Sequence, residues 1–268
     1  MKILLGNAYN LIRDLPDKSI DCIYTDPPYE FDKMGGYSET ASEIKKQIIK
    51  SFGDLQKNEI VDGFDYKILD DFVRVSKKVN IFIWCSKKQI PKLLDYFKNY
   101  NFDILVWCKT QAIPMTNNTW LSDIEYCLYF REKGVKLNDG YELKSKWYSS
   151  ALMQREKKQF KHPTVKPLEL VERHLKHACQ PGYVVLDPFL GSGTTAVACK
   201  KLGLEFIGFE LNKQHYETAM NRIKGITAQE NEAGFQSIFD LFDIKEEKFN
   251  ITERQYKVIK ERLNENNK

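Results

Sequence analysis

"VVLDPFLGSGTTAVACKKLG", residues 184–203, decides how this chain is organised. A short apolar run ends in an acid, a glycine-containing turn follows, and "TTAVACKK" continues with helical character. A buried strand that turns through glycine into a helix lets bare backbone approach a ligand at the carboxyl end of a sheet. "GSGTTA" (191–196) also satisfies the loose dinucleotide pattern G-x-G-x-x-A, although an ordinary strand-to-helix turn uses glycine too. The next apolar run, "EFIGFEL" (205–211), carries Glu210, 19 residues after Gly191. An acid there accepts hydrogen bonds from the two ribose hydroxyls of an adenosine-containing ligand.

Asp187 and Pro188 separate this stretch from a nicotinamide site. A carboxylate at the strand tip repels a pyrophosphate, yet it suits a ligand whose near end carries an ammonium and a sulfonium. That favours S-adenosylmethionine over NAD.

Outward from this segment the chain alternates. "IDCIYTD" (20–26), "VNIFIWCS" (79–86), "FDILVWCK" (102–109), "IEYCLYF" (124–130) and "YVVLDP" (183–188) read as strands. Amphipathic stretches lie between several of them: "YKILDDFVRVS" (66–76), "IPKLLDYFKNY" (90–100), "KPLELVERHLKHAC" (166–179) and "TTAVACKKLG" (194–203). Such alternation predicts an α/β fold, a mostly parallel sheet with helices on both faces. Residues 30–65 have scattered charges and no clean period, and read as a mobile insertion with some helix. Residues 226–268 are charged and helical in composition, with Thr252 a candidate N-cap for "ERQYKVIKERL".

The 268 residues, 42% hydrophobic and 13% aromatic, are enough for a real core. No run of 18 apolar residues occurs and the N-terminal apolar run is only three residues long, so a signal peptide, a membrane helix and a membrane partner are not expected. A cytoplasmic protein is. Six cysteines without a C-x-x-C pair suit reduced core thiols better than a disulfide or zinc framework, so no metal is expected. A formal charge of +4 permits a nucleic acid partner without requiring one.

"TDPPYEF" (25–31) follows the first of the central runs. Two prolines must stop the sheet, leaving a carboxylate, a stiff turn without N–H groups and an aromatic ring at its mouth. "DPPY" (26–29), "HPTVKP" (162–167) and "DPFLGSGTT" (187–195), in that order, resemble the β-class amino DNA methyltransferases, in which the catalytic segment precedes the cofactor segment. The resemblance spans roughly residues 3–224. It implies a doubly wound, Rossmann-like methyltransferase sheet with circularly permuted motif order. It also implies a methyltransferase domain over 1–225, divided into a catalytic segment (3–109), a target-recognition region (110–161) and a cofactor segment (162–225), with 226–268 as an extension.

The resemblance makes Asp26, Pro27, Pro28 and Tyr29 catalytic. It places S-adenosylmethionine against Asn7, Ala8, Asp26, His162, Thr164, Lys166, Asp187, Phe189, Gly191, Ser192, Gly193, Thr194, Thr195, Glu210 and Leu211. Relatives commonly carry Gly-Asp where this chain has "GNA" (6–8); Asn7 still offers an acceptor to the cofactor adenine.

The chemistry of an exocyclic amine explains the "DPPY" residues. Its lone pair is delocalised into the base, and hydrogen bonds from its N–H groups to the Asp26 carboxylate and the Pro27 carbonyl favour a pyramidal nitrogen. Tyr29 offers a stacking face, and the base must leave the duplex to be reached. "DPPY" accompanies adenine N6 more often in the family, with cytosine N4 as the alternative. Carbon-5 methylation needs a cysteine nucleophile, typically after proline, and the chain has no Pro-Cys dipeptide.

Residues 131–161 carry nine basic and four acidic side chains, a local excess of five, interleaved with Trp147, Tyr148 and Phe160. This suits phosphate contact, with Lys157 and Lys158 as candidates; a solvated loop would have the same composition, and the DNA substrate implied by the rest of the chain favours contact. Lys109 and Gln111 are candidates for the flipped-base pocket. The expected partners are DNA and a cognate restriction endonuclease, with the chain a monomer or a homodimer. Two rival classes remain. A nicotinamide enzyme leaves "DPPY" without a task, and a catalytically silent DNA-binding regulator usually has a damaged motif, whereas these motifs are intact.

Overall fold

The structure, a computed structural model, describes residues 1–30, 63–111, 120–151 and 165–225 of the chain. Its strands are β1 (Lys2–Leu5), β2 (Cys22–Thr25), β3 (Asn80–Cys85), β4 (Asn101–Lys109), β5 (Ile124–Arg131), β6 (Trp147–Ser150), β7 (Val184–Asp187) and β8 (Glu205–Glu210). Every residue of β2 and β3 is buried. Strands covered on both faces have no need of a polar side, which is why these runs show no alternation.

The eight strands form one sheet in the order β1-β8-β7-β2-β3-β5-β4-β6. Five neighbouring pairs are parallel, and β5 runs antiparallel to both β3 and β4. The mostly parallel, doubly wound sheet is therefore present, with β5 as its reversed strand. Two edge strands, β1 and β6, have no clear signal in the sequence. "KILL" is too short for a period, and "WYSS" becomes a strand because β4 lends it partners: Val106 donates its N–H to the Lys146 carbonyl at 2.8 Å and Thr110 to Ser150 at 3.0 Å.

Helices α1 (Ala8–Leu11), α2 (Ile68–Val75), α3 (Ile90–Tyr96), α4 (Leu168–Ala178), α5 (Thr194–Lys201) and α6 (Lys213–Ile223) complete the elements. Ile23, Ile81 and Ile83 pack with Ala8, Ile68, Phe72 and Leu93 in one cluster. Tyr24, Phe82 and Trp84 face the other way, against His174 of α4. The strand period of two thus feeds two helical layers. His174 is a core residue; burial lowers its pKa to about 3, and it stays neutral between Tyr24 and Phe82.

The order positions the site. From β2 the chain proceeds to β3 on one side, and from β7 to β8 on the other. Between β2 and β7 the winding reverses, and the crevice at the carboxyl ends of such a pair is where an open α/β sheet binds its ligand.

Contacts divide the chain into compact units over Met1–Ala219 and Met220–Lys268. Almost all of the 30–65 segment and all of 226–268, with Thr252, lie outside the described residues. Among the described residues no helix is long and apolar enough to cross a membrane, and no cluster of three or more His, Cys, Asp or Glu could hold a metal. All six cysteines are free thiols, five of them buried.

Candidate active site

Ile23 of β2 and Leu186 of β7 are register partners, so Asp187 ends β7 level with Tyr24 and Asp26 follows just past the end of β2, and both acids face the cavity at the switch point. Asp187 is 2% exposed. Its Oδ2 accepts from Thr195 Oγ1 at 2.7 Å and its Oδ1 from the Phe189 N–H at 3.2 Å, which ties the strand tip to the glycine turn. Burial outweighs those two bonds and pushes its pKa up to about 7. A buried carboxylate in that state gains from a cation placed beside it.

Gly193 turns the chain into α5 with φ +82°, and a Cβ there would lie 2.8 Å from the Ala219 Cβ. Both conformation and space demand glycine. Glu210 is 9% exposed at the end of β8. Its Oε2 accepts from the Gly191 N–H at 2.7 Å and its Oε1 from the Asn212 N–H at 2.8 Å. Glu210 thus braces the glycine turn as well as facing the crevice, and each oxygen retains a second lone pair for a hydroxyl. Burial raises its pKa.

These groups line a cavity of about 650 Å³. Of the expected cofactor contacts it brings together Asn7, Ala8, Asp26, Lys166, Asp187, Phe189, Gly191, Ser192, Thr194, Thr195, Glu210 and Leu211, and Pro28 joins them. Pro27, Tyr29, Gly193, Lys109 and Gln111 are not on its wall. His162, Thr164, Lys157 and Lys158 lie outside the described residues. Asn7 is also the N-cap of α1, its Oδ1 accepting from the Tyr9 N–H at 2.9 Å. The cavity fits S-adenosylmethionine in size and donor set: carboxylates at Asp187 and Glu210, a glycine turn between them, and an apolar ring at Phe189.

The "DPPY" turn is held more tightly than its sequence shows. Tyr29 donates its hydroxyl to Asp26 Oδ1 at 2.7 Å, and Lys166 donates to Asp26 Oδ2 at 2.5 Å and to the Tyr29 hydroxyl oxygen at 3.1 Å. Burial, then the charge of Asp26, keeps the Tyr29 phenol well above its ordinary pKa. Gln89, fully buried, donates to the Pro28 carbonyl at 3.1 Å and clamps the turn from the residue before α3. The Lys166 ammonium also lies 3.1 Å from Glu125 Oε2, an ion pair rather than a directed hydrogen bond, and 4.8 Å from the centre of the Trp84 ring.

Glu125 in turn meets Lys109 at 2.6 Å. Burial would raise the Glu125 pKa, but Lys166 and Lys109 overcome it and pull it down to about 2. Burial likewise works against the Lys166 ammonium, and Asp26 and Glu125 together reverse that and raise its pKa. Lys109 thus sits in an ion pair, 15% exposed at its side chain, while Gln111 is exposed. In the described part of the basic stretch, Lys144 pairs with Asp139 and Lys146 with Asp103.

Glu125 and Gln89 had no role in the sequence reading. The one available signal was an acid opening an otherwise apolar strand, "IEYCLYF".

A family model described as DNA methylase matches residues 20–221. Type II methyltransferase M2.DpnII of Streptococcus pneumoniae is 29% identical over 245 residues, 84% of this chain and 90% of the relative. Type II methyltransferase M2.LlaDCHI of Lactococcus lactis subsp. cremoris is 31% identical over 248 residues, covering 83% and 89%. The solved M1.HpyAVI–SAM complex superposes with a TM-score of 0.60 at 24% identity, covering 82% of this chain and 98% of that one.

Proposed function

Because the chain belongs to the DNA methylase family, we propose that it transfers a methyl group from S-adenosylmethionine to the exocyclic N6 amine of an adenine flipped out of DNA. The observation that carries this reading is that Asp26, just past β2, and Asp187, at the end of the neighbouring β7, line one cavity, the first on the "DPPY" turn and the second before the glycine turn.

S-adenosylmethionine, when bound, supplies an electrophilic methyl group that needs no acid to activate it. Asp187 would hold its cationic end and Glu210 would accept hydrogen bonds from its ribose. Asp26 accepts one N–H of the target amine and the Pro27 carbonyl the other, which frees the nitrogen lone pair. Asp26 then holds the proton that the amine sheds. Holding nitrogen and methyl about 3 to 3.5 Å apart in line supplies much of the remaining rate. The Tyr29 hydroxyl fixes the carboxylate plane, and its ring borders the place where the base stacks.

The partner of such an enzyme is a cognate restriction endonuclease, and its setting is the cytoplasm. DNA from cells expressing the protein, sequenced with modified-base detection, tests the reading. N6-methyladenine at one motif, absent from cells expressing Asp26→Ala, is expected. N4-methylcytosine would move the acceptor to cytosine, and no modified base would overturn the activity.

A further inference from the structure

We propose that Lys166 and Glu125 are positioning residues for methyl transfer: Glu125 anchors the Lys166 ammonium, and the ammonium holds the Asp26 carboxylate in the orientation that receives the target amine. The inference rests on the methyltransferase reading and deepens it. The sequence pattern gives Lys166 only a place beside the cofactor, and Glu125 none.

Three side-chain oxygens surround one nitrogen. Lys166 Nζ, on a side chain 7% exposed, lies 2.5 Å from Asp26 Oδ2, 3.1 Å from the Tyr29 hydroxyl and 3.1 Å from Glu125 Oε2. Tyr29 closes a ring by donating to the other Asp26 oxygen at 2.7 Å. Each carboxylate oxygen is thereby held once and keeps one lone pair, so the plane of the acid is set while acceptor capacity remains for an incoming N–H. Asp26 sits on a turn without regular backbone hydrogen bonding, where an unheld carboxylate would rotate.

Glu125 matters because a lone ammonium beside a lone carboxylate makes a closed pair. With Glu125 present the charge of Lys166 is shared between two acids that come from different parts of the sheet, the β2 tip and the start of β5. Lys109 balances Glu125 on its far side at 2.6 Å. Removing one partner of a buried ion pair leaves the other charge uncompensated. Without Glu125 the ammonium, already 2.5 Å from Asp26 Oδ2, has only the Asp26 carboxylate to neutralise it and draws on the lone pairs that the target amine needs. A structural role alone would predict lost stability or lost cofactor affinity. The positioning role predicts a slower chemical step with the cofactor held as before.

The experiment is single-turnover transfer of a tritiated methyl group to unmethylated DNA, with S-adenosylmethionine and DNA both saturating. It compares wild type, Glu125→Gln, Lys166→Met and the two combined, with cofactor affinity from calorimetry. Glu125→Gln is expected to slow transfer by up to about 10²-fold, the scale of a small misplacement, with cofactor affinity within about threefold. Lys166→Met should slow it at least as much, and the double variant no more than Lys166→Met, since residues acting as one unit are not additive. If Glu125→Gln fails to fold, the charge-balanced Lys109→Met/Glu125→Gln variant decides, with the same slowing expected. A rate within about twofold of wild type in a folded variant, a loss confined to cofactor affinity, or additive losses in the double variant would overturn the inference. No transfer by the wild type would instead overturn the methyltransferase reading, and this inference with it.

Discussion

Replacing Asp187 by asparagine should change the pH dependence of stability in a calculable way. The carboxyl group has an ordinary pKa of 3.8 and about 7 in the folded chain, with burial as the main cause. A raised carboxylate pKa means that the folded state keeps the proton longer than the unfolded one. The cost to stability is absent well below pH 4, grows as pH rises between the two values, and is complete above pH 7. At about 1.4 kcal/mol per unit, the full cost is about 4 kcal/mol, of which about 3 kcal/mol accrues between pH 5 and pH 8. Asparagine does not titrate, and its amide can still accept from the Phe189 N–H and donate to Thr195 Oγ1. Urea denaturation of both proteins without cofactor should therefore show Asp187→Asn gaining about 3 kcal/mol on the wild type from pH 5 to pH 8, because every other titration is common to the two. A difference that stays constant within about 0.5 kcal/mol would refute the raised pKa and the argument built on it. The same physics bears on binding. A cation beside Asp187 lowers its pKa, so cofactor binding near pH 7 should release protons, and calorimetry in two buffers of different ionisation enthalpy should detect them in the wild type and not in the variant.

Asp26→Ala should reduce labelled methyl incorporation by more than about 10²-fold while cofactor affinity changes only severalfold; near-normal incorporation would remove the acid from the mechanism. Glu210→Ala should weaken cofactor binding by about 1.5 to 3 kcal/mol for the lost charge-assisted bonds, and an unchanged affinity by calorimetry would deny it the ribose. Tyr29→Phe keeps the ring but removes the hydroxyl that holds Asp26 Oδ1, so a moderate fall in turnover is expected. Tyr29→Ala should lose a further 1 to 3 kcal/mol, roughly, of stacking on the target base, and equal turnover in the two variants would show that the ring is not a platform.

Much of the fold was legible because its signals are local. The mostly apolar runs of β2 and β3, with no polar alternation, announce strands buried on both faces, and the order of strand, glycine turn and helix at 184–203 announces a crevice. Gly193 is legible for the same reason, since its positive φ is a property of one residue. The reversal of β5 was not legible, because pairing direction depends on which strands become neighbours rather than on what each contains. Nor were β1 and β6, four-residue edges that the sheet itself completes.

The candidate site divides along the same line. Asp26, Tyr29, Asp187 and Glu210 follow from their own segments, where an acid or ring stands at the end of a strand. Their electrostatics follow from the fold alone. Lys166 reaches Asp26 from 140 residues away, and Glu125 meets it from a strand on the other side of β3. Charges interact through space and in proportion to how well water is excluded. Which lysine an acid faces, and whether burial moves its pKa up as at Asp187 or two lysines bring it down as at Glu125, is therefore set only when tertiary packing brings distant segments together and closes solvent out.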